Sequence, residues 1–343
     1  MKATVSFLAI ILFSVSALAQ RTLIVDNTGS APNGDHVYSD LQEAIDAAEE
    51  GDIIHVMPSS ISYGDLNIDG LKNLSFVGIG MHPYLNNNLE TNVSELGDLI
   101  ILDGENLFFS GLKISSVFVG SNSNDSKIPT NILFNQTNLG QASIVDASTL
   151  SINNSFSGQL AITGQVEQIY VNNSIIKGRQ GDINNTNFTN NILTNTEDFW
   201  SNTQVIRNCV FENNIFWHIT ALFNFGRSNS SNSIYRNNYS LFDLPNYGTN
   251  ISENNITSVD GEIFVDIRID EDFFGGWQSY WNTEIQAEEL KNAGTDGTDI
   301  GPSGGNEPYR TEDSPLPIIK DLLSPLKIKS GHSFEVTIKA KGN

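Results

Sequence analysis

A short run near the middle of the chain, SIIKGRQGD, brings together charged side chains that could act in catalysis. It contains Lys177, Arg179 and Asp182, and Arg207 could lie beside them if the chain coils. β-Elimination next to a carboxylate needs a base, a cation that neutralises the carboxylate, and a donor for the leaving oxygen. These residues are the best local candidates for such roles. A charge cluster is a weak indicator of a site, so we favour their interpretation as solvated turn residues.

Aromatic side chains could stack on the C–H faces of sugar rings. The candidates are Trp200, Trp217, Trp277 and Trp281, the last two in the dense cluster FFGGWQSYW. The alternative is that this cluster covers the end of the fold as a hydrophobic cap. We favour the cap, because large aromatic rings are costly to expose.

Acidic residues that could bind calcium occur at Asp182 and in the glycine-rich run TDGTDIG, as Asp296 and Asp299. The run lacks the spacing of a helix-loop-helix calcium loop. We favour side-chain turns that close the fold. The five His residues show no pair at metal-ligand spacing, so calcium is the only cofactor candidate. Cys209 is expected to be a small buried hydrophobe.

The charge balance excludes several classes of partner. The 343 residues include 40 acidic and 18 basic side chains, for a formal net charge of -22. Such a charge repels nucleic acid and anionic membrane surfaces. We therefore expect no nucleic-acid partner.

The N-terminus has the pattern of a secretory signal peptide. Lys2 supplies a positive start, residues 5–15 form an apolar run too short to span a bilayer, and an A-x-A cleavage site ends at Ala19. We predict cleavage after Ala19 and export to the periplasm or the cell exterior. No later run is apolar enough for a membrane span, and a single cysteine cannot form an intramolecular disulfide.

Short apolar strands alternate with turns rich in Asn, Ser, Gly and Asp from residue 99 to about residue 269. Examples are LIILDG, NLFFSGLKI, QLAITG and EQIYVNN. Turns this frequent favour a coiled solenoid over a sandwich. The predicted fold is all-β: a right-handed parallel β-helix with an N-terminal capping helix and a C-terminal β-hairpin extension.

Pairs of asparagines recur in the predicted turns. They are Asn172-Asn173, Asn184-Asn185, Asn190-Asn191, Asn213-Asn214, Asn237-Asn238 and Asn254-Asn255. In a parallel β-helix identical residues stack at about 4.8 Å, and stacked amides can hydrogen-bond from one coil to the next. The sequence therefore predicts asparagine ladders that need no ligand.

The chain divides into three regions. These are a signal peptide (1–19), a β-helix domain (20–305) with a cap helix (39–50) and a C-terminal aromatic and helical cap (270–305), and a Pro-rich linker with a β-hairpin (306–343). Ser39 and Gln42 have the spacing of a capping box for the first helix. The run TEIQAEELKNAG predicts a second short helix, and the hairpin is expected to turn at Gly331-His332.

A resemblance to a known family supports this fold. LQEAIDAAEEGDIIHVMPSSISYGDLNI followed by LSFVGIG resembles the N-terminal segment of secreted bacterial proteins of the pectin-lyase-like superfamily, and NAGTDGTDIGPSGG resembles their closing segment. The resemblance implies a parallel β-helix and, for the lyases of the superfamily, an Arg or Lys base beside acidic calcium ligands. The superfamily also contains hydrolases, esterases and adhesins, so the resemblance does not choose an activity.

Motifs of the known enzymes are missing from the sequence. Polygalacturonases carry Asn-Thr-Asp, for which Asn195-Thr196-Glu197-Asp198 is only a near miss, and the Arg-x-Pro-x-x-Arg of pectate lyases is absent. We therefore expect a secreted, monomeric β-helix protein that binds or contacts extracellular polysaccharide. The alternatives are a calcium-assisted lyase acting on an acidic glycan through Lys177 and Arg179, and a structural or adhesin-like surface protein.

Overall fold

The computed structural model describes residues 20–29, 34–81, 92–121, 127–178, 182–194, 205–217, 229–241, 243–265, 282–310, 318–323 and 337–341. The predicted signal peptide lies outside these residues. In the described part of the chain, no helix is long and apolar enough to cross a membrane.

The described residues form one short helix and many strands. In chain order the elements are β1 (Thr22–Val25), β2 (Val37–Tyr38), α1 (Leu41–Ala47), β3 (Ile53–Val56), β4 (Leu66–Val77), β5 (Glu95–Ser110), β6 (Lys113–Val119), β7 (Thr130–Asn135), β8 (Asn138–Ile144), β9 (Ala147–Asn153), β10 (Phe156–Ile162), β11 (Val166–Asn172), β12 (Ile175–Ile176), β13 (Ile183–Asn184), β14 (Thr186–Thr189), β15 (Ile192–Leu193), β16 (Val205–Arg207), β17 (Val210–Glu212), β18 (Ile215–Phe216), β19 (Asn229–Ser231), β20 (Ile234–Arg236), β21 (Tyr239–Ser240), β22 (Ile251–Glu253), β23 (Ile318–Leu323) and β24 (Thr337–Lys341).

The strands β1 to β22 pair in parallel, each with the strand one coil away. A first sheet runs through β1, β3, the ends of β4 and β5, β7, β9, β11, β14, β17, β20 and β22. A second runs through the starts of β4 and β5, then β6, β8, β10, β12, β15, β18 and β21. A third contains β13, β16 and β19. This is the predicted parallel β-helix.

Apolar side chains stack inside the coil. The rings of Phe76 and Phe109 lie 4.9 Å apart and nearly parallel, and Phe134 follows at 5.1 Å. Farther along the same column, Phe211 lies 4.9 Å from both Phe188 and Tyr235. These spacings match the distance between paired strands, so the strand register itself sets the aromatic stacking.

Asparagine forms the corners between the sheets. Between the first and second sheets, Asn173, Asn190, Asn213, Asn237 and Asn254 all have positive φ, from 46° to 57°. Asparagine tolerates this left-handed conformation better than most residues, because its short side chain hydrogen-bonds locally. The abundance of Asn is therefore partly a backbone requirement.

The next position along the chain carries the predicted ladder. The Nδ2 of Asn191 donates to Oδ1 of Asn214 at 2.9 Å, Asn214 donates to Asn238 at 3.0 Å, and Asn238 donates to Asn255 at 3.0 Å. Each of the last three amides also donates to a backbone carbonyl. The asparagine ladder is confirmed, and in these pairs one residue turns the backbone while its neighbour forms the ladder.

The N-terminal helix α1 covers the first coil. Its side chains Leu41, Ala44 and Ile45 are buried in the core, and the helix contacts β1, β2 and β3. The capping prediction was wrong by one residue, because Asp40 accepts the backbone N–H groups of Gln42 and Glu43. Asp40 directly precedes the first helical residue, where its short carboxylate can reach both donors.

An ion pair between the partly exposed Arg21 and the buried Asp52 links the residue before β1 to the loop after α1. Asp52 is 3% exposed and accepts from Nη2 of Arg21 at 2.6 Å and from the backbone N–H of Glu49 at 2.8 Å. Burial would raise the pKa of Asp52, but these hydrogen bonds outweigh it and hold that pKa below its ordinary value.

The segment 282–310, which we call the strap, runs along the side of the last coils. Near its start, Ile285 forms an antiparallel bridge with Phe264. Ile175, Ile192, Ile215 and Tyr239, which face outward from the second sheet, form an apolar cluster with strap residues that include Leu290 and Ile300. The helix predicted at TEIQAEELKNAG is absent: residues 288–292 form turns, closed by bonds such as that from Leu290 N–H to Ala287 O at 3.1 Å.

The C-terminal strands β23 and β24 form an antiparallel pair, with Ile318 opposite Lys341 and Leu323 opposite Thr337. The C-terminal segment thus contains an antiparallel pair, as predicted, but the predicted turn at Gly331-His332 lies outside the described residues. The first strand is IIKDLL and not the segment directly before Gly331, so part of the predicted Pro-rich linker is a strand.

Candidate binding face

Of the charged residues that were predicted to act together, Lys177 lies beside the second sheet, whereas Asp182 and Arg207 lie at the third. Lys177 follows β12 in the second sheet, and its backbone N–H donates to Ser157 O. Asp182 precedes β13, and its Oδ1 accepts the backbone N–H of Val205 at 2.8 Å. Arg207 ends β16 one coil later, opposite Asn184, with an exposed side chain. Among the described residues no ion pair joins these side chains, and Arg179 lies outside them.

The predicted aromatic platform has one described member. Trp217 is 5% exposed and packs against Phe264, with ring centroids 5.1 Å apart. Its ring lies under the strap and offers no face to a sugar. Trp200, Trp277 and Trp281 lie outside the described residues.

The carboxylates of the TDGTDIG run close local turns. Asp296 Oδ1 accepts the backbone N–H of Thr298 at 3.0 Å and its hydroxyl at 2.7 Å, and Asp299 Oδ1 accepts the N–H of Asn292 at 2.9 Å. Burial raises the pKa of Asp296, but the Thr298 hydrogen bonds outweigh it and lower that pKa. In the described part of the chain no group of three or more His, Cys, Asp or Glu residues could hold a metal ion.

The outward side of the first sheet presents two regular columns of side chains. The first, which we call the ring column, contains Ser75, Phe108, Leu133, Ser151, Tyr170 and Asn187. The second, the amide column, contains Val77, Ser110, Asn135, Asn153, Asn172 and Thr189, of which Val77 and Ser110 are buried. Adjacent members lie one coil apart, and the two columns lie two residues apart along each strand. Together they form what we call the outer face.

Two half-exposed rings stand in the ring column. Phe108 and Tyr170 are each partly accessible, and three coils separate them, which corresponds to roughly 14 Å at the spacing of paired strands. Their neighbours on either side along the strand point into the core, so the backbone fixes the rings in place. The result is two aligned apolar surfaces on a rigid sheet.

Amide groups stand beside the rings. Asn172 lies two positions after Tyr170 on the same side of β11, and its Nδ2 donates to Asn153 Oδ1 at 3.1 Å. Asn135 continues the column one coil before Asn153. An amide both donates and accepts hydrogen bonds, as a sugar hydroxyl does. The outer face therefore combines ring surfaces with groups that match hydroxyls.

Sequence reasoning missed these residues because it looked for dense aromatic clusters. Phe108 and Tyr170 stand in the short strands NLFFSGL and EQIYVNN. The available signal was alternation: Tyr170 lies between Ile169 and Val171, which both face the core, so it must face outward.

Comparison with known proteins adds no residue assignment to this face. No protein-family model matches the chain, and no curated protein sequence matches it significantly.

Proposed function

We propose that this protein is a secreted β-helix protein that binds extracellular polysaccharide along the outer face of its first sheet. The observation that carries the proposal is the pairing of Tyr170 with Asn172, a ring and an amide on the same side of one strand. The signal-peptide pattern up to Ala19 supports export. The parallel β-helix and the resemblance of the LQEAIDAAEEGD segment support membership in the pectin-lyase-like superfamily.

The geometry suits a long ligand. A solenoid repeats its surface groups at the spacing of paired strands, so a polymer lying along the outer face meets similar groups in each coil. The rings would contact the apolar faces of sugar residues, while the amides bind their hydroxyls. Rigid side chains on a sheet lose little conformational freedom on binding, which favours affinity.

The test is binding of Tyr170→Ala to polysaccharides in affinity gel electrophoresis and titration calorimetry. We expect affinity to fall by about tenfold or more, which corresponds to about 1.4 kcal/mol. The matched control is Phe118→Ala, because Phe118 is equally half-buried but faces outward from β6 in the second sheet. Loss of binding in both variants, or in neither, would contradict the assignment of the outer face. Failure of the unaltered protein to bind any polysaccharide would contradict the function itself.

A further inference from the structure

We infer that the polysaccharide bound by the outer face is uncharged. This inference rests on the proposed function and concerns the class of ligand. It follows from the uncharged stretch that the ring column and the amide column form between β4 and β14.

The outer face lacks charged side chains, although the chain as a whole is strongly acidic. The ring column and the amide column, from β4 to β14, contain neither acidic nor basic residues, and all their members except the buried Val77 and Ser110 are partly exposed. In the chain as a whole, 17% of residues are charged. The net charge of -22 must therefore lie elsewhere.

Backbone geometry does not explain this neutrality. Left-handed corners require Asn or Gly, but the two columns lie on strands, which accept charged residues on an outward side. The second sheet shows this in the same coils, where Glu95, Asp98 and Lys113 face outward from β5 and β6. Past β14 the amide column continues in register into Glu212, Arg236 and Glu253, so the uncharged stretch of the first sheet spans β4 to β14.

The cations near this face are already paired. Lys72, which precedes the corner leading to the first sheet, lies 3.1 Å from Glu105. At the far end, beyond Thr189, Arg236 lies 2.5 Å from Glu212. A carboxylated or sulfated polymer would meet the overall negative field of the protein and find no unpaired cation on the outer face.

The hydrogen-bonding groups fit hydroxyls better than carboxylates. Asn135, Asn153, Asn172 and the hydroxyls of Ser151 and Thr189 each offer an acceptor as well as a donor. A sugar hydroxyl can satisfy both. A carboxylate only accepts, so it would leave the amide oxygens without a donor and in repulsive contact.

The experiment compares neutral polymers, a β-glucan and a galactomannan, with acidic polymers, polygalacturonate and alginate. Retention is measured in affinity gels at about 20 and about 300 mM NaCl, since salt screens charge attraction but not neutral contacts. We expect retention on a neutral polymer that is unchanged by salt, and none on the acidic polymers. Retention on acidic polymers only, lost at high salt or in Arg207→Ala, would overturn the inference while leaving the proposed function intact. No retention on either class would instead refute the proposed function.

A gain-of-charge variant tests the same point in the opposite direction. Ser151→Lys places an ammonium group in the ring column between Leu133 and Tyr170. We expect this variant to gain salt-sensitive retention on polygalacturonate. The matched control is Ser143→Lys, at a half-buried outward position of β8 in the second sheet. Equal gains in both variants would show that the outer face does not select the ligand by charge.

Discussion

At the residue scale, a side chain directly after a left-handed corner hydrogen-bonds to the backbone of that corner. Thr186, Cys209 and Ser233 occupy equivalent positions where strands of the first sheet begin. Their side chains contact the carbonyl oxygen two residues earlier, at 2.8 Å, 3.1 Å and 3.1 Å. Ser155 and Ser174 do the same at the other corner, at 2.6 Å and 2.7 Å. The lone cysteine is therefore one more corner residue.

This role predicts how Cys209 responds to substitution. Cys209→Ser should stay within about 1 kcal/mol of the unaltered protein, because the hydroxyl restores the donor that neighbouring coils use. Cys209→Val has similar volume but no donor, so it should lower the free energy of unfolding by about 1 to 2 kcal/mol. Urea denaturation followed by circular dichroism measures both. A valine variant as stable as the serine variant would show that the thiol contributes only packing.

At the element scale, the strap is held by the corner asparagines. Asn213 Oδ1 accepts the backbone N–H of Thr295 at 2.9 Å, and its Nδ2 donates to the Thr295 hydroxyl at 3.2 Å. Asn237 Nδ2 donates to Ala293 O at 2.8 Å, and Asn173 Nδ2 donates to Gly304 O at 2.7 Å. The column of corner amides thus forms a hydrogen-bonded edge against which the strap docks.

The strap contact can be removed without disturbing the corner. Asn213→Gly keeps the left-handed backbone but loses both side-chain bonds to Thr295, so we expect a loss of about 1 to 3 kcal/mol. The amide of Thr295 should then exchange with deuterium much faster. Asn254→Gly is the control, since Asn254 has the same conformation, with φ of 52°, and an exposed side chain. Similar exchange at Thr295 in both variants would contradict the docking role.

At the scale of the whole molecule, the number of residues in each coil determines which side chains stack in a column. Leu150 of β9 lies opposite Ile169 of β11, and Phe156 of β10 lies opposite Ile175 of β12. In both pairs the partner lies 19 residues farther along the chain. Other coils differ: Ile234 is 24 residues after Val210, and Ile251 is 17 residues after Ile234. The fold therefore requires a matched register between neighbours and not a constant repeat length.

This register predicts that one complete coil can be deleted. Removing residues 150–168 joins Thr149 to Ile169 and brings β12 opposite β8, with every column still aligned. We expect a folded protein with a lower urea midpoint, because stability in a solenoid is roughly a sum over neighbouring coils. Removing only residues 150–158 breaks the register and should prevent folding. Circular dichroism and size-exclusion chromatography distinguish these outcomes, and equal behaviour of the two deletions would contradict the register argument.

The local sequence was sufficient to predict the type of fold and much of its interior. Alternation in strands such as EQIYVNN and the recurring Asn pairs report which side chains stack, because each coil repeats the environment of its neighbour. The cap helix followed from its apolar face, although its cap residue was misplaced by one position. Alternation also places Tyr170 on the outward side of its strand, but it does not show whether another segment covers that side. The charged turn at Lys177 and the tryptophans were chosen by type, while exposure depends on what covers them.

What the sequence by itself determined is the coil: short strands, polar corners, an asparagine ladder and a covered start. Only the tertiary structure decided that the strap lies along the corner asparagines, that Trp217 is buried beneath Phe264, that IIKDLL pairs with TIKAK, and that Tyr170 and Asn172 share an uncharged face. The physical reason is the sequence separation of the contacts. Stacking joins residues about one coil apart and repeats along the chain, whereas Asn173 meets Gly304 across 131 residues, in a contact that occurs once and leaves no period to detect.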